Sequence, residues 1–402
     1  MKVVSTLAGT ARTLWSEDRG PVLVTVATGW FLSMGVRMIF PALLPELRAA
    51  YGMSLARAGL LISVVFVMYA IGQLPGGILA NRIGEGRSMV VSTALSGGAL
   101  LLVVAASTQL LLFFAVGVFG FATGTYAVAR FTALNDLYPQ QVGTAIGLTA
   151  AAADAGQSSL PVLAAVLTGL FVWQSGFGFA MPLFASVAVL LWVFVPARTS
   201  NPPVRTDDSS LQRMRRVLAG LRTPAVLYST TALIIGVCIW QAFTSLYPTY
   251  LVEIKGLSVT RAGSLLGVFF ALGILVQPVS GGAYDRFGAR ATLYVALGTA
   301  GASLFVFPFA QGFPALLALT VAVSSLLGFA TVLQSYLIRH IRDDIQETGF
   351  GFLRTVSFLI GAASPVLFGA AADRGYFDHG FVVLAGLAAV MMLVVSRLPP
   401  EG

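Results

Sequence analysis

Stretches of about twenty apolar residues, separated by short polar turns, recur along this chain from end to end. A helix that crosses ~30 Å of hydrocarbon needs roughly 20 such residues, because each residue advances the helix by about 1.5 Å. With 57% hydrophobic and 10% charged residues, the chain has too much apolar surface to bury in water. The sequence therefore predicts an all-α membrane protein surrounded mainly by lipid.

Twelve spanning helices are predicted, in two sets of six. Residues 196–222 separate the sets and are rich in Pro, Asp, Ser and Arg, which is typical of a solvated linker. We expect an N-terminal bundle over 21–195 and a C-terminal bundle over 223–396, flanked by a segment 1–20 and a tail 397–402. The predicted spans lie near 22–45, 54–80, 88–107, 109–134, 142–170, 173–195, 224–251, 259–283, 290–311, 313–338, 345–372 and 376–396.

The distribution of basic residues predicts the orientation. Loops on the side of both termini carry about sixteen Lys and Arg, against about five on the opposite side. Because basic loops stay in the cytoplasm, we expect a multi-pass protein of the cytoplasmic (inner) membrane, with both termini and the linker cytoplasmic. Arg37, Arg130 and Arg354 are left at membrane depth.

The two halves of the chain repeat one another. Segment 54–82 recurs about 204 positions later as segment 258–286, and polar residues and turn glycines keep the same register. Tandem duplication explains such a period, and the sequence predicts two six-helix bundles related by pseudo-two-fold symmetry. The matching pairs include Arg57 with Arg261, Gly59 with Gly263, Gln73 with Gln277 and Gly84 with Gly288.

The loop after the second predicted span carries a motif that the second half repeats. It reads Gly77-Ile-Leu-Ala-Asn81-Arg82-Ile-Gly84-Glu-Gly-Arg87, which is similar to the Gly-x-Leu-Ala-Asp-Arg-x-Gly-Arg signature of the major facilitator superfamily (MFS). The corresponding second-half loop, from Gly281 to Gly288, fits that signature better. The chain resembles this superfamily over essentially its whole length, which implies the MFS fold and a secondary transporter that works by alternating access.

The resemblance also implies a conformational role for these loops. Glycines permit a tight turn, while the acid and the arginines can form a charge relay with helix ends that holds one conformation. Asn81 stands where the signature has Asp, which weakens such a relay in the first half. The candidate gating residues are Gly77, Asn81, Arg82, Gly84, Gly281, Asp285, Arg286 and Gly288.

Charged side chains deep in a span are costly unless they are paired or hydrated, so each is a candidate functional residue. Asp154 lies roughly a dozen residues into the fifth span, near the bilayer midplane, with Gln157 beside it. It can contact a substrate cation, carry a proton or pair with an arginine. A buried structural ion pair is the alternative interpretation.

Arg37 follows Gly35 in the first predicted span. Its surroundings are similar to the first helices of the organophosphate and organic-anion branches of the superfamily, which implies that Arg37 helps bind an anionic group. Arg354 in the eleventh span is a candidate of the same type, and Arg130 lies near the cytoplasmic end of the fourth. For all three, snorkelling is the alternative.

Aromatic and amide side chains form a second group of candidate substrate contacts. They supply hydrogen-bonding and stacking groups, although such residues in spans are more often packing or interface residues. The group comprises Tyr126, Trp240, Gln241, Tyr247 and Gln334.

These observations predict a secondary active transporter for a small anionic organic solute, because three arginines at membrane depth outnumber one acid. The alternative is efflux of hydrophobic or cationic compounds centred on Asp154. Drug-proton antiporters of the superfamily usually carry adjacent Gly-Pro in the fifth span and an arginine early in the fourth. Here Gly156 and Pro161 are separated, and Val116 stands near the arginine position.

Other classes of function find no support in the sequence. No nucleophile–base constellation predicts an enzyme, and His340 and His379 lack a partner at metal-ligand spacing, so neither a metal nor a cofactor is predicted. The basic residues punctuate apolar runs, which excludes a nucleic-acid surface. The expected partners are a small-molecule substrate, the lipid bilayer and a proton or sodium ion as the candidate coupling ion, with the protein as a monomer.

Overall fold

A computed structural model of the protein describes residues 19–199, 221–342 and 345–399. Most of the predicted linker, the first eighteen residues and the last three residues lie outside these described ranges. Within them, all regular secondary structure is helical. The predicted all-α architecture is therefore confirmed.

Eleven helical stretches in the described part of the chain are long and apolar enough to cross a membrane. The longest, Val259–Phe309, has 51 residues and is interrupted at Gly288, whose φ of 76° and ψ of 170° are not helical. This break divides it into two spans, which gives the twelve that the sequence predicts.

The spans are labelled α1 to α12. The first seven are α1 Arg19–Ala42, α2 Leu55–Ile83, α3 Glu85–Ala105, α4 Gln109–Leu137, α5 Val142–Leu170, α6 Ala180–Phe194 and α7 Pro224–Glu253. The remaining five are α8 at 259–287, α9 at 289–306, α10 Phe313–His340, α11 at 346–373 and α12 Phe377–Val395. A short helix, Leu44–Tyr51, joins α1 to α2.

Hydroxyl side chains fix where several spans begin. Thr108, Thr223 and Ser258 each accept a hydrogen bond from the backbone N–H three residues later, at the starts of α4, α7 and α8. These bonds satisfy donors that the first helical turn leaves open. In the middle of α10 the residues Ser324–Leu327 tighten into a 3-10 turn, and α11 is interrupted between Gly361 and Ser364.

The chain divides into two compact units. Unit 1 consists of the described parts of Met1–Phe40 and Val67–Val204. Unit 2 consists of Pro41–Phe66 and the described parts of Arg205–Gly402. The last residues of α1, the short helix Leu44–Tyr51 and the first part of α2 therefore group with residues of the second half of the sequence.

Glycines allow α2 and α4 to touch backbone to backbone in unit 1. A Cβ atom on Gly72 would overlap the carbonyl of Phe121, and one on Gly124 would overlap the carbonyl of Tyr69. The hydroxyl of Thr125 donates to the carbonyl of Gly72 at 3.3 Å across the same seam. Close approach of this kind maximises van der Waals contact, which holds helices together in lipid.

Unit 2 is packed around aromatic rings. Phe243 and Tyr247 of α7 are stacked with ring centroids 4.6 Å apart. Phe381 of α12 lies 4.3 Å from the ring of Tyr250 and 5.3 Å from that of Phe307. Rings at these separations add attraction beyond the apolar area that they bury.

Candidate functional site

Two arginines on helices of unit 1 have buried side chains. Arg37 of α1 is 6% exposed and Arg130 of α4 is 3% exposed. The guanidinium carbon of Arg37 lies 4.9 Å from the ring centroid of Tyr69. Aromatic faces attract cations, and this attraction lowers the cost of holding a charge away from bulk water. Both side chains are therefore buried in the folded chain rather than extended into solvent.

Arg130 is held by contacts from three helices. Its guanidinium carbon lies 4.3 Å from the ring of Trp30 in α1 and 4.3 Å from that of Phe131. Its Nη1 donates a hydrogen bond to the hydroxyl of Thr149 in α5. Trp30 in turn stacks on Tyr126 of α4, with ring centroids 6.0 Å apart and planes within 9°. The guanidinium is therefore oriented before any ligand arrives.

The hydroxyl of Tyr126 is committed to the bundle. It donates to the backbone carbonyl of Val26 at 2.8 Å, and the side chain is fully buried. The hydroxyl of Tyr126 is therefore occupied by this bond, and the ring of Tyr126 is the part that supports Trp30.

Asp154 and Gln157 lie one turn apart on α5. Gln157 Nε2 donates to Asp154 Oδ1 at 3.3 Å, Gln157 is 8% exposed, and Asp154 is half-buried. The backbones of α1 and α5 touch where a Cβ on Gly35 would overlap the carbonyl group of Gly156. Arg37 follows Gly35 by two residues and Asp154 precedes Gly156 by two, so the basic and acidic residues flank one helix crossing.

A second polar cluster in unit 2 surrounds Phe358 of α11. Gln241 Nε2 of α7 donates to the carbonyl of Phe358 at 3.4 Å, and Trp240 has its ring 6.3 Å from that of Phe358. The guanidinium carbon of Arg354 lies 5.9 Å above the same ring. The structure therefore brings together three of the predicted residues of the second half.

Tyr247 and Gln334 lie elsewhere in unit 2. Tyr247 is fully buried, and its hydroxyl lies 2.5 Å from the hydroxyl of Thr320 in α10. Gln334 is half-buried on the last part of α10. The hydroxyl of Tyr247 is therefore engaged inside the aromatic core.

The α2–α3 loop of unit 1 is covered by the residues that follow α6. Arg198 Nη2 donates to the carbonyls of Asn81 and Arg82 at 3.1 and 3.0 Å. The backbone N–H of Thr199 donates to Glu85 Oε2 at 2.8 Å, and Glu85 is fully buried. The sequence interpretation missed Glu85 and Arg198. For Glu85 the available signal was its place in the first turn of α3, where an acid interacts favourably with the helix dipole.

Gly84 makes this covering possible. Its φ of 96° is a conformation that glycine adopts readily, and a Cβ atom on it would overlap the carbonyl of Ala197. The predicted glycine Gly77 meets only ordinary van der Waals contact, from Val128.

The equivalent loop of unit 2 is built differently. Asp285 accepts from Arg339 Nη2 of α10 at 3.1 Å, and both side chains are more than half exposed. Gly288 has a φ of 76°, which forms the break between α8 and α9, and Arg286 is exposed. A Cβ atom on Gly281 would make only ordinary contact with Thr331. The gating role of both loops stays a prediction.

Within the described residues 19–199, 221–342 and 345–399, no group of three or more His, Cys, Asp or Glu side chains is placed to bind a metal ion.

Twelve apolar spans that bury a few charged and aromatic side chains define a polytopic membrane protein. The sequence profile of the Major Facilitator Superfamily matches residues 25–365 and, in a second match, 256–402. The chain belongs to the Major Facilitator Superfamily. The resemblance seen in the sequence and the predicted MFS fold are confirmed.

Similar proteins cover nearly the whole chain. The hexuronate transporter of Bacillus subtilis (strain 168) is 23% identical over 404 residues, covering 96% of this chain and 95% of the relative. The probable sulfoacetate transporter SauU of Cupriavidus necator is 24% identical over 413 residues, covering 95% of each. Among solved structures, the nucleoside transporter NupG superposes with a TM-score of 0.81 at 11% identity, over 94% of this chain and 100% of that one.

Proposed function

We propose that this protein moves a small organic acid across the cytoplasmic membrane by alternating access, and that Arg37 and Arg130 attract its acidic group. The observation that carries the proposal is that two arginines on helices of unit 1 are buried, each with its guanidinium group against an aromatic ring. Tyr126, Asp154 and Gln157 complete the proposed site in this unit.

The chemistry of these groups favours an anion. A guanidinium group stays charged at any physiological pH and presents donors in a planar fork that matches a carboxylate, sulfonate or phosphate. Arg37, Arg130 and Asp154 give the helices α1, α4 and α5 two positive groups and one negative group. A bound anion would lower the positive potential that this imbalance creates.

The relatives support an acidic substrate. One is a hexuronate transporter and the other a probable sulfoacetate transporter, and both hexuronate and sulfoacetate are organic anions. A hexuronate presents a carboxylate on a hydroxylated ring, whereas sulfoacetate presents a carboxylate and a sulfonate. The common feature is a compact oxyanion, which suits an arginine held in place by an aromatic ring.

In unit 2 we propose a second contact set of Arg354, Trp240 and Gln241 around Phe358. Gln241 and Trp240 are fixed against α11, and Arg354 is half-buried above the ring. Because Arg354 is the one arginine of α11, its removal can be tested separately from Arg37.

The proposed orientation places both termini in the cytoplasm. It is supported by the excess of Lys and Arg in the loops on that side, about sixteen against about five.

The coupling ion is to be identified by measuring flux with an imposed proton gradient and with an imposed sodium gradient.

The proposal is tested by flux into proteoliposomes. Purified protein is reconstituted and supplied with labelled glucuronate, galacturonate or sulfoacetate, with labelled glucose as a neutral control. We expect saturable counterflow of at least one of the anions and none of glucose. Arg37→Ala should reduce anion flux at least tenfold.

The matched control variant is Arg374→Ala, which removes the same charge from an exposed residue outside both contact sets. It should leave flux within about twofold of the parent. Anion flux that survives Arg37→Ala at the parental rate would reject the assigned site.

Efflux of a cationic or hydrophobic compound is the second candidate, favoured by one observation. Asp154 is an acid at mid-span that remains half-buried rather than fully enclosed. In that case vesicles should expel ethidium, Asp154→Asn should abolish the expulsion, and none of the three anions should move.

A further inference from the structure

Unit 2 contains a contact between segments that lie far apart in the sequence. Arg48, in the short helix Leu44–Tyr51, forms an ion pair with Glu253, the last residue of α7. Arg48 Nε also donates to the carbonyl of Met53 at 3.1 Å, so one guanidinium ties the end of its own helix to α7. The two side chains are 18% and 32% exposed, which leaves them within reach of water.

Asp373, the last residue of α11, supplies a cap for α2. Its Oδ1 accepts from the backbone N–H of Leu55 at 2.7 Å, and its Oδ2 accepts from that of Ala56 at 2.8 Å. These are the first two residues of α2, whose N–H groups have no acceptor inside the helix. A carboxylate at this position also interacts favourably with the helix dipole.

Two glycines let the same segments meet without intervening side chains. A Cβ atom on Gly59 of α2 would overlap the carbonyl of Pro365 in α11. One on Gly369 of α11 would overlap the carbonyl of Leu55. The start of α2 and the end of α11 are therefore in direct backbone contact beneath the Asp373 cap.

A carboxylate at position 373 is not required for a helix like α11 to end, as the equivalent helix α5 of the first half shows. Pro161 of α5 precedes Pro365 of α11 by about 204 positions, the period of the internal repeat. At the same offset, Gly169 in α5 corresponds to Asp373. The first-half helix thus ends without a carboxylate, and Asp373 is a feature of one half alone.

We propose that Asp373 and the Arg48–Glu253 pair form a releasable latch, which holds residues 44–56 against α7 and α11 and sets how often this contact opens during transport. Its bonds are few and close to water, so solvent can replace them when the contact separates. The latch rests on the alternating access of the proposed function and is independent of which solute is carried.

A buried cysteine reports opening of the latch. Ala58 of α2 is fully buried next to Gly59, and Cys238 is the one cysteine of the chain. Ala58→Cys is introduced with Cys238→Ser, and the purified protein in detergent is labelled with a water-soluble maleimide. Asp373→Ala should raise the initial labelling rate about fivefold, the effect expected for losing a helix cap.

Charge exchange provides a second, independent variant. Glu253→Arg alone should raise labelling, and adding Arg48→Glu should return the rate towards that of the parent. Glu46→Gln is the matched control, because it removes an acid from the same short helix outside these bonds. It should leave the rate unchanged.

Labelling requires no transported solute, so the two proposals fail separately. Absence of anion flux with latch-dependent labelling would count against the proposed substrate and leave the latch intact. Unchanged labelling in Asp373→Ala, in protein that melts at the parental temperature, would overturn the latch. If that variant does not fold, failure of the charge exchange to restore the parental rate would overturn it.

Discussion

The guanidinium of Arg130 lies 4.3 Å from the ring of Trp30, and that ring lies nearly parallel to Tyr126. The three side chains form one stack that joins α1 to α4, and Thr149 extends it to α5 through a hydrogen bond. An arginine in such a stack cannot change rotamer without breaking several contacts. Its charge is therefore presented in a fixed direction.

Arg130→Lys should lower anion flux at least tenfold although it keeps the positive charge. Lysine presents a compact ammonium that cannot reproduce the planar contact with Trp30 together with the bond to Thr149. Initial rates of counterflow in proteoliposomes measure the effect. Thr149→Val should give a smaller loss, since it removes one bond and leaves the stack. Equal flux in Arg130→Lys and the parent would show that orientation is unimportant.

Asp154→Asn separates substrate binding from energy coupling. If the carboxylate carries a coupling proton, the variant should retain anion counterflow but lose accumulation driven by a pH gradient. Asparagine can still accept the bond from Gln157, so the local geometry is kept. Both fluxes are measured on the same vesicles. Full gradient-driven accumulation in the variant would exclude Asp154 as the proton carrier.

Gly124→Ala should destabilise the protein by about 1–3 kcal/mol, because the added methyl group would force α4 away from the carbonyl of Tyr69. The melting temperature in detergent, followed by intrinsic fluorescence, should fall by several degrees. Gly98→Ala is the control, since its Cβ atom would meet nothing within 4 Å. Equal melting of the two variants would contradict the close helix contact.

Gly84→Ala tests the covered α2–α3 loop. Alanine at a φ of 96° is strained, and its methyl group would also displace Ala197. We expect a loss of about 1–3 kcal/mol in stability and faster proteolysis at Ala197, just after α6. Gly143→Ala, which has open space around it, should match the parent in both assays.

Tyr247→Phe should leave transport unchanged and reduce stability by about 0.5–1.5 kcal/mol, the usual net value of one hydrogen bond. The variant removes the bond to Thr320 and keeps the ring stacked on Phe243. Melting and counterflow are measured in parallel. A large loss of flux with normal melting would place the hydroxyl in the transport pathway instead.

The spans and the fold could be predicted because lipid imposes a length and an apolar composition on each helix. The repeat and the loop motif led to the superfamily, and the predicted glycine at 288 is the residue at which two spans separate. Hydropathy gives the depth of a residue but not the side of the helix on which it lies. For that reason Arg130 could be read as snorkelling, whereas the structure buries it against Trp30.

Contacts between distant segments were beyond the reach of the sequence. Asp373 caps a helix that begins 318 residues earlier, and no local pattern marks that pairing. The same applies to the grouping of Pro41–Phe66 with the second half of the chain. Tyr247 was predicted as a site residue because it is a tyrosine in the seventh span. The aromatic rings around it include that of Phe307, which is distant in the sequence, so its environment could be seen only in the folded structure.

The glycine seam between α2 and α4 has a mechanical consequence for the charged site. Tyr69, on which Arg37 lies, has its carbonyl against Gly124, and Arg130 follows Gly124 by six residues on the same helix. Backbones packed this closely leave little room for α2 and α4 to shift independently. Under the proposed function, the support of one cation and the helix of the other therefore stay together, and the distance between the two charges limits the size of the acid that can span them.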